Sequence, residues 1–137
     1  VGKDHIIRAA LESIAYQMND VLSAMNGDIG LIYGKDSSNG ISVLRVDGGA
    51  SSNGLLMQMQ SDISDPTVQV SENPEATSQG AAVLAGLAVG FFESRRQLSL
   101  LSSAKKSYCP NVTQEERERR IDGWQRAVQS CRKFSER

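Results

Sequence analysis

Apolar side chains between Asp4 and Met25 fall at Ile7, Leu11, Ile14, Met18, Val21 and Met25, in alternating steps of four and three. That spacing places them on one face of a helix. Asp4 is placed to cap its start and Gly27 to end it, and a stripe of this length predicts packing across the face of a sheet. "DIGLIYGKDSSNG", residues 28–40, is dense in Gly, Ser, Asn and Asp and reads as a surface loop, with a short extended piece at Leu31 to Tyr33. "ISVLRV", 41–46, is β-branched and mostly apolar on both faces, the pattern of a strand buried inside a parallel sheet.

Leu55, Leu56, Met59 and Ile63 predict a short amphipathic helix that stops before Pro66, because the residue ahead of a proline is pushed out of the helical region. "TVQV", 67–70, is a second strand, and "SENPEATS" loops to a helix of small residues over 79–92. The order helix, strand, helix, strand, helix predicts an α/β fold, a sheet covered by helices. Residues 95–112 read as irregular. Thr113-x-x-Glu116 is a capping box that opens a last helix, with Ile121, Trp124, Val128 and Cys131 on its apolar side. Trp124 is expected to anchor that helix, Cys131 to sit in the core, and the four methionines to be ordinary packing. "EERERR" alternates acid and base and is expected to be a solvated helix surface.

At 137 residues and 39% hydrophobic content, the chain is material for one domain. A formal net charge of -1 argues against a nucleic-acid or acidic-membrane partner, which would need a concentrated basic surface. Cys109 and Cys131, with one histidine in the whole chain, are too few ligands for a tetrahedral zinc site and read as reduced thiols. His5 reads as a helix-start residue. The longest apolar run, "GAAVLAGLAVGFF", has thirteen residues, against roughly 20 for a membrane span. It predicts a core helix in which Gly86 and Gly90 allow close packing. "VGKDHIIRAA" lacks the apolar core of a leader, so the cytoplasm is the expected compartment. A chain that opens on Val1 and enters a helix by about Asp4 is expected to be cut from a longer polypeptide.

The stretch with most chemical promise is "LRVDGGASSNGLLMQ", residues 44–58. A strand ending in Asp47-Gly48-Gly49 and passing through Ala50-Ser51-Ser52-Asn53 into a helix sets backbone N–H groups at the carboxyl edge of a sheet, where α/β proteins bind ligands. Two glycines let backbone lie against a ligand and tolerate positive φ. Asn53 adds an amide that can donate and accept. The plainer alternative is a strand-to-helix turn in which Asp47 satisfies backbone donors and Ser51, Ser52 or Asn53 caps the helix. It is not a P-loop, since Leu55 and Leu56 stand where Lys and Ser or Thr must be, and its adjacent glycines do not make G-x-G-x-x-G.

"LRVDGGASSNGLLMQMQSDI" and "GAAVLAGLAVGFF" closely resemble the C-terminal part of the glycerol kinases, a family of the sugar and polyol kinase superfamily. "HIIRAALESIAYQ", 5–17, resembles the second signature of that family, here His5 to Glu12, and "DGWQRAV", 122–128, its last helix. The resemblance spans nearly the whole chain in order. Two departures stand out. Gly54 replaces a larger residue after the asparagine, and "EATSQGAA" replaces "ETTALGAA" while keeping Glu75, Thr77 and Gly80.

The resemblance implies two actin-like, ribonuclease-H-like domains around a cleft, with ATP or ADP and Mg2+ bound mainly by the second. It puts Gly48, Gly49 and Ala50 against the adenosine and α-phosphate, and Asn53 near the adenine. The phosphate loop, polyol contacts and aspartate base would lie upstream of Val1 and the metal would be held mainly by parts outside this chain, so the resemblance implies no catalytic residue and no metal ligand here. The chain is then expected to be part of a C-terminal nucleotide-binding domain, with an α/β core at 1–93 and a loop and C-terminal helix at 94–137. The whole enzyme, a homo-oligomer, would phosphorylate glycerol. The fragment alone would be inactive. A non-catalytic α/β regulatory or assembly module and a kinase for another polyol or sugar stay open as alternatives. Bulk at Gly49 separates the first of these from a nucleotide site.

Overall fold

The computed structural model describes residues 1–33, 40–73, 75–92 and 104–135. In chain order they form α1 (Lys3–Tyr33), β1 (Val43–Val46), a 3-10 turn (Gly49–Ser52) and α2 (Gly54–Ser64). Then come β2 (Thr67–Ser71), α3 (Ala76–Ala88), β3 (Ala104–Tyr108) and α4 (Gln114–Ser135). The sheet has strand order β1-β2-β3. β1 runs parallel to β2, with Val43 opposite Thr67 and Val46 opposite Val70. β3 runs antiparallel to β2 on its other side.

α2 is the hub. Leu56 and Met57 join Val68 and Val70 of β2 in one buried cluster, against which Leu11, Leu44, Val46 and Tyr108 pack. Met59 and Ile63, one turn on, close a second cluster with Ala15 of α1, flanked by Tyr16 and Ile121. Polar groups inside this helix are satisfied. Ser61 is fully buried, and its hydroxyl lies 3.0 Å from the carbonyl oxygens of both Pro66 and Tyr108, to either of which it can donate. Gln58 Nε2 donates to the Cys109 carbonyl, Asp62 accepts from the Asn111 N–H, and Arg117 Nε donates to the Asp62 carbonyl. Asp65, held at φ 79 ahead of Pro66, pairs with Arg117 at 2.6 Å. One helix thus fastens β3, the segment after it and α4.

Several sequence expectations change. α1 continues through Gly27 to Tyr33, so Asp4 lies in its first turn and the extended piece expected at 31–33 is helical. A single glycine costs a helix only about 1 kcal/mol relative to Ala, and a Cβ at Gly27 would meet nothing. The Gly2 N–H donates to His5 Nδ1, which makes His5 a helix-start residue as expected. α1 packs on α2, which already covers the sheet, and its buried residues are Ala15, Asn19 and Leu22. The apolar stripe is rotated off that contact: Ile7, Ile14, Met18, Val21 and Met25 are all exposed. The expected loop 28–40 is therefore helical to Tyr33, and 34–39 lie outside the described residues.

β1 is an edge strand among the described residues and Val43 is exposed, so the sequence overstated its burial. α3 ends at Ala88 and buries none of its side chains, although a core helix over 79–92 was expected. Its end is a Schellman motif, with Gly90 at φ 75 and the Phe91 and Gly90 N–H groups donating to the Gly86 and Leu87 carbonyls. A Cβ on Gly86 would lie 2.6 Å from the Phe92 ring, so the close packing expected there is against an aromatic side chain.

The stretch expected to be irregular, 95–112, contains β3; its first residues, 95–103, are not among those described. "AKKSY" has no apolar alternation, so only pairing with β2 makes it a strand. β3 is an edge strand among the described residues, where a lysine such as Lys106 discourages association with further strands. In α4, Thr113 Oγ1 accepts the Glu116 N–H, but Glu116 turns its carboxylate to Arg119 and Arg120 rather than back to Thr113. Those guanidiniums, Arg120 first, hold the Glu116 carboxyl below its ordinary range. Trp124 does anchor α4: its ring stacks on Tyr16 at 5.3 Å and its Nε1 donates to Asp20. Burial raises the Tyr16 hydroxyl above its usual pKa, and Glu12 adds to this. Cys131, expected in the core, is exposed, because the apolar contacts of α4 with the rest of the fold are made nearer its start, by Ile121 and Trp124; both cysteines are free thiols.

Ser61→Ala leaves buried carbonyl oxygens without their hydroxyl and is expected to cost about 1–3 kcal/mol, measured by urea denaturation. A loss below a few tenths would mean that the hydroxyl does not tie α2 to β3.

Candidate functional site: the glycine turn

The strand β1 ends at Val46, and the chain then turns through Gly48 at φ 81. A side-chain-bearing residue rarely adopts that angle, so glycine is required here by the backbone. Gly49 is different. A Cβ there would meet nothing within 4 Å, so the fold does not ask for glycine at that position. The serines lock the 3-10 turn: Ser51 Oγ donates to the Gly48 carbonyl and Ser52 Oγ to the Gly49 carbonyl, both at 2.7 Å.

Asn53 caps α2. Its Oδ1 accepts from the N–H groups of Leu55 and Leu56, at 3.1 and 3.2 Å. The end of α2 is thereby satisfied from within, and the helix terminus is not what a ligand would meet. What Asn53 can offer outward is its NH2 end. At the start of the 3-10 turn, the first N–H groups, those of Gly49 and Ala50, lie outside its internal bonding pattern.

A cavity of about 410 Å³ opens beside this turn. It is within the range of small-molecule sites. It is lined by Gly48, Gly49, Ser51 and Ser52 of the turn, by Val70 and Ser71 at the end of β2 with Glu72 just beyond it, and by Lys106 and Tyr108 of β3. Of the four residues singled out from sequence, Gly48 and Gly49 line this cavity, whereas Ala50 and Asn53 stand in the same turn but not on its lining. Sequence reasoning missed Ser71, Glu72, Lys106 and Tyr108. The last two lie in the segment read as irregular, and their place is set by pairing across to β2.

The departure at Gly54 has a structural partner. A Cβ on Gly54 would stand 2.9 Å from the Tyr108 hydroxyl oxygen, so the tyrosine occupies the space that a larger residue would take. Ala at the first turn of a helix gains at most about 1 kcal/mol over Gly. Overpacking against a ring fixed by the core costs about 1–3 kcal/mol. Gly54→Ala is therefore expected to destabilise the chain, and Tyr108→Phe to relieve it in the double variant. Additive losses in a double-mutant cycle by chemical denaturation would refute the clash.

The family described as the FGGY family of carbohydrate kinases, C-terminal domain, matches residues 2–89. The glycerol kinases of Vibrio vulnificus (strain YJ016) and Psychromonas ingrahamii are each 46% identical over 136 residues, 99% of this chain and 25% of theirs. The chain thus spans about a quarter of the length of the curated relatives it matches. A crystal structure of Plasmodium falciparum glycerol kinase with ADP superposes with a TM-score of 0.80 at 36% identity, over 92% of this chain and 24% of that one. The ligand-bound xylulose kinase of Lactobacillus acidophilus shares the fold at a TM-score of 0.65 and 18% identity. The mixed sheet and its covering helices therefore have their place in a known architecture, and the chain belongs to the FGGY family of carbohydrate kinases, as part of its C-terminal domain.

Proposed function

We propose that this chain is the ATP- and ADP-binding portion of a glycerol kinase, whose whole polypeptide transfers the γ-phosphoryl of MgATP to a terminal hydroxyl of glycerol. The observation that carries the reading is Gly49. It lines a cavity at the carboxyl edge of the sheet, and nothing in the fold needs its side chain to be absent. A glycine on the cavity lining lets a ligand lie against the backbone with no Cβ between them. Support comes from relatives named as glycerol kinases and from a structural neighbour solved with ADP.

In this reading Gly48 and Gly49 bring backbone against the adenosine and α-phosphate, Ala50 adds its N–H, and the NH2 end of Asn53 faces the adenine side. Their work is binding and orientation. Phosphoryl transfer also needs a placed hydroxyl, a proton acceptor and metal-held outer phosphates, and we assign none of these to the described residues. Among them no group of three or more His, Cys, Asp or Glu converges to hold a metal. Magnesium in such sites takes most ligands from phosphates and water, and we give it no protein ligand here. No helix among the described residues is long and apolar enough to cross a membrane, and a cytoplasmic setting fits the reading.

The test is an amide NMR titration of the chain with ADP. Shifts at Gly48, Gly49 and Asn53 should saturate together with a Kd near 1 mM, about -4 kcal/mol. Gly49→Ala should leave stability within about 0.5 kcal/mol yet weaken ADP at least severalfold. Unchanged ADP binding in that variant would take Gly49 out of the contact, no ADP binding by the unmodified chain would favour a regulatory or assembly module, and glycerol-dependent ADP formation by the chain alone would overturn the division of labour.

A further inference from the structure

β3 gives the cavity its only lining cation among the described residues, Lys106. Its register sets Lys106 opposite Val70 and Tyr108 opposite Val68. Cross-strand partners share a face of the sheet, so both side chains rise on the side that carries α2 and the glycine turn. Lysine on an edge strand is usually just a guard against further pairing. Here the side chain does more than extend into water: its ammonium lies 4.7 Å over the Tyr108 ring centroid, at the cavity. The ring is held in turn, for Tyr108 packs on the cluster of Leu56, Met57, Val68 and Val70, with its hydroxyl in the space that Gly54 leaves open.

We propose that Lys106 binds the α-phosphate of the nucleotide, as a cation carried on the Tyr108 ring across from Gly48 and Gly49. The inference rests on the nucleotide reading and adds a residue to it. The cavity's lining includes one other charged residue, the carboxylate Glu72, so among the described lining residues Lys106 is the group of opposite charge to a phosphate. Lysine serves phosphate as a compact point charge with three donors. Tyr108 is a positioning residue, since it acts only through where it holds the ammonium.

The experiment compares adenosine, AMP and ADP by NMR titration of the chain, unmodified and as Lys106→Met and Lys106→Arg, at low and raised salt. Lys106 is exposed, so the variants should fold, and amides remote from the cavity will report it. Lys106→Met should weaken AMP and ADP about tenfold, leave adenosine unchanged and reduce the salt dependence; Lys106→Arg should recover most of the phosphate affinity. Equal binding of ADP by Lys106→Met and the unmodified chain would make Lys106 a bystander. Equal loss of adenosine and ADP would make it a shaping residue without a phosphate contact. If the unmodified chain binds neither ADP nor adenosine, the nucleotide reading itself falls, and this inference with it.

Discussion

The structure depends on α2 having a partner on nearly every face. Eleven residues, Gly54–Ser64, must meet the sheet with Leu56 and Met57 and meet α1 with Met59 and Ile63. A helix so placed keeps only a narrow solvent side, at Leu55, Gln58 and Asp62, so Gln60 and Ser61 are buried and must be satisfied by protein. Gln60 Nε2 donates to the Ser64 hydroxyl and lies 3.4 Å from the Ala15 carbonyl, while Ser61 serves the Pro66 and Tyr108 carbonyls. Apolar contact fixes where α2 lies, and these hydrogen bonds fix its rotation and depth.

The candidate site inherits its geometry from that placement. Because Asn53 caps α2 internally, the turn that precedes it is held from both ends: by the cap on one side and by the Ser51 and Ser52 hydroxyls on the Gly48 and Gly49 carbonyls on the other. A close-approach turn held in this way has little conformational freedom left to lose when a ligand arrives. The opposite wall depends on α2 by another route, since Ser61 and Gln58 fasten the carbonyls of Tyr108 and Cys109 at the end of β3. Both sides of the cavity thus refer to one helix.

The apolar surface left over is of a different kind. Ile7, Ile14, Met18, Val21 and Met25 run along an exposed face of α1, and Leu84, Val89 and Phe91 stand exposed on and after α3. Burial of such residues is worth about 1.5–3 kcal/mol each, so the packing among the described residues leaves considerable stabilisation unused. Stability of this chain is accordingly concentrated in α2, β2 and what they touch.

The sequence by itself determined the local elements and the turn. Pro66 ended α2, Thr113 started α4, the β-branched runs became β1 and β2, and Gly48 took the positive φ that only glycine adopts at ease, because each of these outcomes is settled by backbone sterics or bonds within a few residues. Tertiary structure decided which of two adjacent faces of α1 is buried, since Leu11 belongs to both the apolar stripe and the packed side and periodicity cannot choose between faces about a residue apart. It also decided that "AKKSY" is a strand, because nothing local favours it and the pairing partner lies some forty residues away in β2. Lys106 and Tyr108 reach the cavity only through that pairing, and the reason for Gly54 is a hydroxyl more than fifty residues distant in sequence. Contacts that far apart in the chain leave no period or spacing to read, so half of the site was legible from the letters and the other half had to be folded to be found.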